Sequence, residues 1–519
     1  MPTQSPAAVP AILSHGNAAL QRGVWEVVLS AAPPAGFRSL ACDLRVTFAA
    51  PDGREIVVDG FHDGGDTFRV RAYCAQSGHW SWRSESALPA LNGKSGAFTV
   101  AASDLPGKLR IHPDDCHQFA YDNGDWFLHI GDTGYRYVTD TEPKWQAYVD
   151  QAAQMGATKI RTWFCRSRGE VEALLTEDRA DLALPYWQEI DRRLAYALRR
   201  HPRLQFQLIP YGEDTAELLR YADGDASAQA IARVSQARWS SFPNVTWCVS
   251  NDREIVPPGT ELGRRRMPSS VIDQIARDMA KREPWGTLLT NHQSRFKGYS
   301  FTEAPWSDIV TLEDLDQVGG ELILQYRDKA DTPIVNDEDR YECYREPKQP
   351  RYFFRRLLWA SLLSGGHATY GGIRTYEPYD GDLRGMQGYF DLRENGKLRG
   401  GADDFAHIHT FFRETGLTMV GWIPDDALAG GTPRQTKCCR KDAQYLLYLA
   451  NPSGDKPETD APSPEPATCT VKAQPGTYAV RWFSPREGSF AKQTRAEGPE
   501  AVLTSPGPGD WVALLLPLE

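Results

Sequence analysis

Between residues 126 and 415 short apolar runs alternate with longer amphipathic stretches, and this alternation constrains the fold more than any other feature. "WFLHIGD" precedes "KWQAYVDQAAQMG", "ATKIRTWFC" precedes "PYWQEIDRRLAYALRRH", "LQFQLIPYG" precedes "AQAIARVSQARWSSF", and "NVTWCVSND" precedes "SVIDQIARDMAKRE". "TLLTNHQ", "DIVTLED" and "TPIVNDE" follow, and "RYFFRRLLWASLLSGG" leads to "HATYGG". Short apolar runs without polar alternation read as strands buried on both faces, and the stretches between them have helical period. Eight such strands with crossovers, in about 250–300 residues, predict an α/β fold of the (β/α)8 TIM-barrel type. A doubly wound open sheet is the structural alternative. No G-x-G-x-x-G follows the first strand, however, and there is no P-loop motif.

Both flanks have strand character. From about residue 23 to 100, "GVWEVVLSA", "LACDLRVTFAAPDGREIVV", "DTFRVRAYCA" and "GHWSWRSES" alternate with a period of two, and "PDG" and "GG" mark turns. An antiparallel β-sandwich of about seven to eight strands is expected there. "FAYDNGDWFLHI" reads as a hairpin turning at Asn123-Gly124. From about residue 418 strands return in "QYLLYLANPSG", "TCTVKAQPGTYAVRWFSPREG" and "DWVALLLPLE", around a Pro- and acid-rich surface loop, "GDKPETDAPSPEPA". The predicted division is an N-terminal β-sandwich over 1–107, a catalytic barrel over 108–417 and a C-terminal β-sandwich over 418–519.

Composition narrows the partners. A net charge of −10 with no Lys/Arg-dense stripe argues against nucleic acid. No run of about 18 apolar residues occurs, so no membrane span is expected. The start lacks a basic segment followed by an apolar one, so a cytoplasmic location is expected. The nine Cys are odd in number and irregularly spaced, with no C-x-x-C, which argues against a disulfide framework and a structural zinc site. No cofactor motif is present, and homo-oligomer formation is left open.

Polar residues interrupt the apolar runs where the strands end, which in a barrel is where chemistry sits. Asp132 follows the first strand, Arg161 and Trp163 end the second, and Tyr211, Glu213 and Asp214 follow the third. The fourth gives Asn251, Asp252 and Glu254, the fifth Asn291 and His292, and the sixth Glu313 and Asp314. The seventh gives Asn336, Asp337, Glu338 and Asp339, and the eighth leads to His367 and Tyr370. Singly, each reads more readily as a helix cap or a solvated loop charge than as a functional group. Collectively they form an acidic rim, densest in "TPIVNDEDRYE", where carboxylates are costly to bury unless paired or employed. Two carboxyls facing each other across a barrel mouth suit glycosidic bond cleavage, one protonated for the leaving oxygen and one ionised. Asp252 and Glu338 are the candidates, with Glu254 and Asp337 in reserve. Asn251 is placed to hydrogen-bond a sugar hydroxyl beside the reacting carbon.

At "GDT", "WCVSND" and "PIVNDEDRYE" the chain resembles the apiosidase-like glycoside hydrolases, family 140 and its relatives. The family's W-x-x-G-G-D is matched at Asp252, with Ser250-Asn251 in place of the glycine pair. Its P-V-x-x-G-E-x-x-Y-E is matched at Pro333, Glu338, Tyr341 and Glu342, with Asp337 in place of glycine. "RRLLWASLLSGGHATYGG" resembles the family's eighth-strand segment. "YAVRWFSPREG" resembles a small C-terminal sandwich labelled collagen-binding, and the N-terminal region resembles the sandwich that often precedes such barrels.

The resemblance implies a retaining glycoside hydrolase with Glu338 as nucleophile and Asp252 as acid/base. Asp132, Arg161, Trp163, Tyr211, Asn251, His292 and Tyr370 would then shape the sugar pocket. The polar replacements beside both carboxyls imply that the sugar need not be apiose. The expected substrate is an oligosaccharide or glycoside, cleaved in exo fashion, since a cytoplasmic enzyme meets imported small sugars; an endo-acting glycanase is the alternative. A non-catalytic carbohydrate-binding or adhesion protein is the second class. Metal chemistry using His292 and His367 is the third and is not expected, since their spacing is wrong for a shared ion; "HIH" at 407–409 lies in a helical stretch.

Overall fold

The computed structural model describes residues 11–518 apart from 136, 143, 165–171, 264, 296–297, 343–349, 373–392, 395, 397 and 458. Cys165 and Cys343 therefore lie outside the described residues; the described cysteines are free.

The eight apolar runs form one parallel sheet. Its strands are β1 (Ile130–Thr133), β2 (Lys159–Trp163), β3 (Gln205–Ile209), β4 (Val245–Cys248), β5 (Leu289–Thr290), β6 (Val310–Glu313), β7 (Ile334–Glu338) and β8 (His367–Tyr370). Their hydrogen-bonded order is β5-β4-β3-β2-β1-β8-β7-β6, and every residue in them is buried. Between β5 and β6 side chains bridge the ring. The Thr290 hydroxyl donates to the Ile309 carbonyl at 2.6 Å, and the Leu289 N–H donates to the Asp308 carboxylate at 2.8 Å. The sheet is therefore a nearly closed barrel, as the alternation predicted.

Helices wrap it: α1 (Lys144–Met155), α2 (Leu184–Arg200), α3 (Thr215–Ala222), α4 (Ala226–Trp239), α5 (Ser269–Arg282), α6 (Glu321–Arg327), α7 (Arg351–Leu363) and α8 (Phe405–Thr415). In α2, Trp187, Ile190, Leu194 and Leu198 recur at helical spacing and are buried, whereas its last turn carries Arg199 and Arg200, which suits the negative end of the helix dipole. Helix α7 is buried from Tyr352 to Leu363 because a C-terminal sheet covers its outer side. Trp359 of α7 meets Phe411 and Phe412 of α8 and Tyr448 and Phe483 of that sheet. Arg355 enters this apolar layer only because Asp510 takes it bidentately at 2.6 and 2.7 Å and Asp404 takes it at 2.7 Å.

The N-terminal ends of the barrel strands are plugged. Leu109–His112, Asp115–Tyr121 and Trp126–Phe127 form a three-stranded sheet whose hairpin turns at Gly124, with φ 91°. Leu109, Phe119, Tyr121 and Phe127 pack there on Leu288, Ile309 and Val335. One end is thus sealed by apolar residues, and the polar residues of the other end form the mouth.

Leu13 to Ala101 form a four-stranded and a five-stranded sheet around Trp25, Phe48, Phe68, Trp80 and Phe98. Trp25 stacks on Phe98 at 3.9 Å. Pairing is antiparallel except for Leu13–His15 with Val24–Ser30 and Ala18–Leu20 with Ser95–Ala101, which are parallel. After α8 a larger antiparallel sheet runs from Ile423 to Pro517, faced by the Pro466–Lys472 and Glu500–Pro508 pair. Among the described residues no helix is long and apolar enough to cross a membrane.

Candidate active site

Strand β7 ends in a β-bulge. Val310, Thr311 and Leu312 of β6 pair with Ile334, Val335 and Asn336, but Glu313 pairs with Glu338. Asp337 is the extra residue. A bulge re-aims side chains, and here it lets two consecutive acids both serve the barrel interior. Asp337 sinks below the mouth. Its carboxylate oxygens each lie 2.9 Å from Lys159 Nζ, and Thr369 donates to one of them. Burial opposes its charge, but Lys159 and then Arg161 hold it well below the usual carboxylate range. Glu338 stays at the rim. Its Oε2 accepts from the Arg161 guanidinium and from the Tyr135 hydroxyl at 3.3 Å.

Across the mouth, the chain after β4 turns sharply. Asp252 has φ 48°, a left-handed conformation that Asp tolerates at a cost of about 1–2 kcal/mol. The turn points its N–H at His292 Nδ1, 3.4 Å away. Asn251 is anchored by its N–H to the Gly212 carbonyl at 2.7 Å, and its Oδ1 accepts from Tyr135 at 3.1 Å. Asp252 Oδ2 lies 3.2 Å from Arg265. Tyr135 thus ties the β4 loop to Glu338, and its ring stacks on Trp163 at 3.9 Å with planes 11° apart.

Glu313, at the end of β6, lies between the two sides. Arg295 holds its carboxyl twice, through Nε at 2.6 Å and its backbone N–H at 3.1 Å. A ligand atom of Glu313, one of Glu338 and one of His292 all lie within 4.8 Å of one another. Burial, then the charges of Glu338 and Asp252, push Glu313 up to about 9, so it is neutral at physiological pH. Burial, then the Arg161 charge, lowers His292 to about 3. That imidazole is neutral. Because its Nδ1 accepts from Asp252, the proton sits on Nε2, 3.7 Å from Glu338 Oε2. A cation shared by His292, Glu313 and Glu338 would need that Nε2 bare and would compete with Arg161 and Arg295. The two guanidiniums on these carboxyls, rather than the donor types, weigh against a metal there.

The remaining expected residues divide. Asp132 is buried beneath the rim, takes a 2.7 Å bond from Tyr148 of α1, and is raised to about 7 by burial. Trp163 spends one face on Tyr135. Tyr211 turns away from the mouth. Its hydroxyl donates to the Ala228 carbonyl at 2.8 Å and accepts from the Ala232 N–H, which pins α4 to the barrel. Tyr370 donates to Glu342 and packs edge-on against Phe354 and Phe405. His367 lies at the sealed end, bonded to the His117 carbonyl at 3.2 Å, so it does not meet His292. Glu254 pairs with Arg266, and Asp214 caps α3. His407 and His409 have separate partners, Pro485 and Gly156.

The crowded acids of β7 are therefore dispersed. Asp337 goes to Lys159 and Glu338 to Arg161. Asp339, raised to about 7 by burial, accepts the backbone N–H groups of Asp316 and Gln317. Glu342 accepts from Tyr370 and from the Gly401 N–H. Tyr135, Glu313, Arg295 and Lys159 are the site residues that sequence reasoning did not select. Glu313 carried a signal, an acid ending an apolar strand; the others carried none.

Residues 114–416 match the apiosidase-like catalytic domain family, and residues 26–87 match a domain of unknown function, DUF5060. No curated protein sequence matches. A provisionally assigned glycoside hydrolase from Bacteroides vulgatus ATCC 8482 superposes with a TM-score of 0.72 over 96% of this chain and 100% of its own, at 15% identity. A family 5 glycoside hydrolase from the same organism superposes at 0.59 over 79% of this chain and 94% of its own, at 14% identity. These likenesses agree on a fold of a barrel with added β-structure, and the family match spans more than half of the chain. The chain belongs to the apiosidase-like family of glycoside hydrolases.

Proposed function

We propose that the protein is a retaining, exo-acting hydrolase of oligosaccharides or glycosides, with Glu338 as nucleophile and Asp252 as acid/base. The observation that carries this reading is the buried group of Glu338, Glu313 and His292 at the strand ends, to which Asp252 is joined by its N–H donating to His292 Nδ1 at 3.4 Å. Among the described contacts of Glu338, Arg161, Tyr135 and His292 all address Oε2. Oε1 is the oxygen left to attack an anomeric carbon. Arg161 fixes the carboxylate in place for attack.

In the first step the Glu338–carbon bond forms, the glycosidic C–O bond breaks, and Asp252 gives its proton to the departing oxygen. In the second, Asp252 takes a proton from water, whose oxygen replaces Glu338 at the sugar. Asn251 Nδ2 is buried with no protein partner and suits a sugar hydroxyl beside the reacting carbon. Exposures of 4% for Glu338 and 8% for Asp252 favour a pocket over an open cleft, hence exo action. The polar Ser250-Asn251 and Asp337, in place of family glycines, favour a sugar other than apiose.

The test is a panel of aryl glycosides and plant and bacterial oligosaccharides, with Glu338→Gln and Asp252→Asn alongside. Each variant is expected to lose roughly 10²–10⁴-fold in turnover. Retained anomeric configuration in the first-formed product, followed by NMR, checks the retaining mechanism. Unchanged turnover in both variants rejects the assignment, and release of internal fragments rejects exo action.

A further inference from the structure

We propose that the cavity where the N-terminal β-structure meets the sealed end of the barrel is a second ligand site, and that it takes a sugar acid: a hydroxylated ring carrying a carboxylate. The site lies apart from the mouth and does not depend on the glycosidase reading above.

The cavity has a volume of about 590 Å³. Small-molecule pockets run from roughly 300 to 1,000 Å³ and favour junctions between domains. Three segments wall this one. The N-terminal sheets give Gln21, Arg22, Arg54 and Gln76, the plugging hairpin gives Arg110 and Asp122, and the turn between α5 and β5 gives Trp285. No residue of the mouth lines it. Arg110 and Asp122 hold the wall together. Arg110 Nε donates to Asp122 Oδ1 at 2.7 Å, and its Nη1 donates to the Trp285 carbonyl at 3.1 Å. Asp122 also accepts from the Tyr73 hydroxyl and from the Lys108 N–H at 3.2 Å. These two charges are spent on each other.

Arg22 and Arg54 differ. Arg22 uses Nη1 on the Ser103 carbonyl at 3.0 Å, and Arg54 uses Nε on Asp52 Oδ2 at 2.7 Å. Among the described residues, the remaining N–H groups of both guanidiniums have no protein partner. Asp52 is the one further charge beside them, and it also takes Gln76 Nε2 at 2.8 Å. Three arginines against two aspartates leave the cavity cationic. A guanidinium with an unused edge suits a carboxylate, which it can hold by two parallel hydrogen bonds. The two amides supply the opposite function. Gln21 spends its Nε2 on the Ala75 carbonyl at 3.2 Å and Gln76 spends its own on Asp52, so each keeps a carbonyl oxygen for a hydroxyl donor. Ile56, Tyr73 and Trp285 add apolar wall for the C–H face of a ring. An inorganic anion would leave the amide oxygens and the apolar wall unused, and a neutral sugar would leave the guanidiniums without a counter-charge. A sugar acid engages all three.

The test is saturation-transfer NMR titration of the full chain at low salt, with galacturonate and galactose as probes and inorganic phosphate as competitor. Neither sugar has a glycosidic bond to cleave. Galacturonate should bind saturably, galactose about tenfold or more weakly, and equimolar phosphate should not displace the acid. Arg22→Gly removes one guanidinium while its φ of 63° suits glycine, and Arg54→Gln alters a side chain that is 63% exposed, so both variants should fold. Each should weaken galacturonate about tenfold and leave turnover of aryl glycosides unchanged. Should Arg22→Gly unfold, Arg54→Gln decides alone. Equal binding of the two sugars, displacement by equimolar phosphate, unaltered affinity in the folded variants, or no saturable binding of galacturonate would each overturn the proposal. Turnover falling in step with binding would assign the acid to the mouth and overturn it too. Failure of the glycosidase panel changes none of these outcomes.

Discussion

Lys159 and Asp337 form a buried ion pair directly beneath the proposed nucleophile, and the pair makes a sharp stability prediction. The Lys159 side chain is 7% exposed and that of Asp337 is 0% exposed, with Nζ 2.9 Å from both carboxylate oxygens. At such burial, removing one partner strands the other charge and costs about 3–5 kcal/mol, whereas removing both is close to neutral. Lys159→Met should therefore destabilise by about 3 kcal/mol or more and, by releasing Asp337, displace Glu338 and lower turnover. Asp337→Asn keeps the bond from Thr369 but strands the ammonium, and should cost a similar amount. The double variant should cost no more than about 2–3 kcal/mol in total, a coupling of about 3 kcal/mol or more. Urea unfolding followed by tryptophan fluorescence measures this, compared at the first transition because a chain of several cores need not unfold in one step. Single losses that add in the double variant would refute the pairing, as would singles below about 1 kcal/mol. The family motif has glycine at position 337, so the acid and its lysine are expected to come and go together.

Two further outcomes follow from buried charges elsewhere. Arg355→Leu leaves Asp510 and Asp404 without their shared guanidinium, with Tyr448 still donating to Asp510 at 2.9 Å; a loss of about 3–5 kcal/mol is expected, with limited proteolysis releasing the C-terminal β-structure first, and an unchanged digestion pattern would contradict it. Lys108, bonded to the Phe242 carbonyl at 3.0 Å and Thr287 at 2.8 Å, is lowered by burial to about 7 from 10.5. Between those pH values the native state binds fewer protons than the unfolded chain, so this group's contribution to stability rises with pH. Unfolding free energy of wild type relative to Lys108→Met should climb from near pH 7 to pH 10, and a flat or falling difference would refute the reading.

The barrel was legible because strands covered on both faces are mostly apolar, without the strict polar alternation of a half-exposed strand, and that signature survives even in β5, which spans only Leu289–Thr290. The two parallel pairings near the N-terminus were not legible. Leu13–His15 and Ala18–Leu20 are three residues each, too short to display a period, and their partners are fixed by the sandwich core. Tyr211 and Trp163 show the limit of reading aromatics, since a ring looks the same in sequence whether it faces a sugar, an α4 carbonyl or another ring. Glu313 was visible as a strand-end acid, but its meaning depends on Asp252, Glu338 and Arg295 arriving from three other segments.

The choice between Asp337 and Glu338 rests on the bulge. Strict alternation along β7 sends consecutive side chains to opposite faces, so a reading of "VNDE" must give one acid to the interior and the other to the outside. The extra residue opposite Leu312 and Glu313 removes that exclusion, and both acids enter the barrel at different depths. What then separates them is the partner. Asp337 is neutralised on both oxygens by one ammonium and also accepts from Thr369, which leaves it no oxygen with which to attack. Glu338 is held through one oxygen, at the rim. Deleting the bulge by removing Asp337 should therefore lower activity sharply even with Glu338 retained, because Glu338 then takes the inward position of Asp337, opposite Glu313 but deeper and within reach of Lys159; full activity in that deletion would show that the rim geometry does not depend on the bulge.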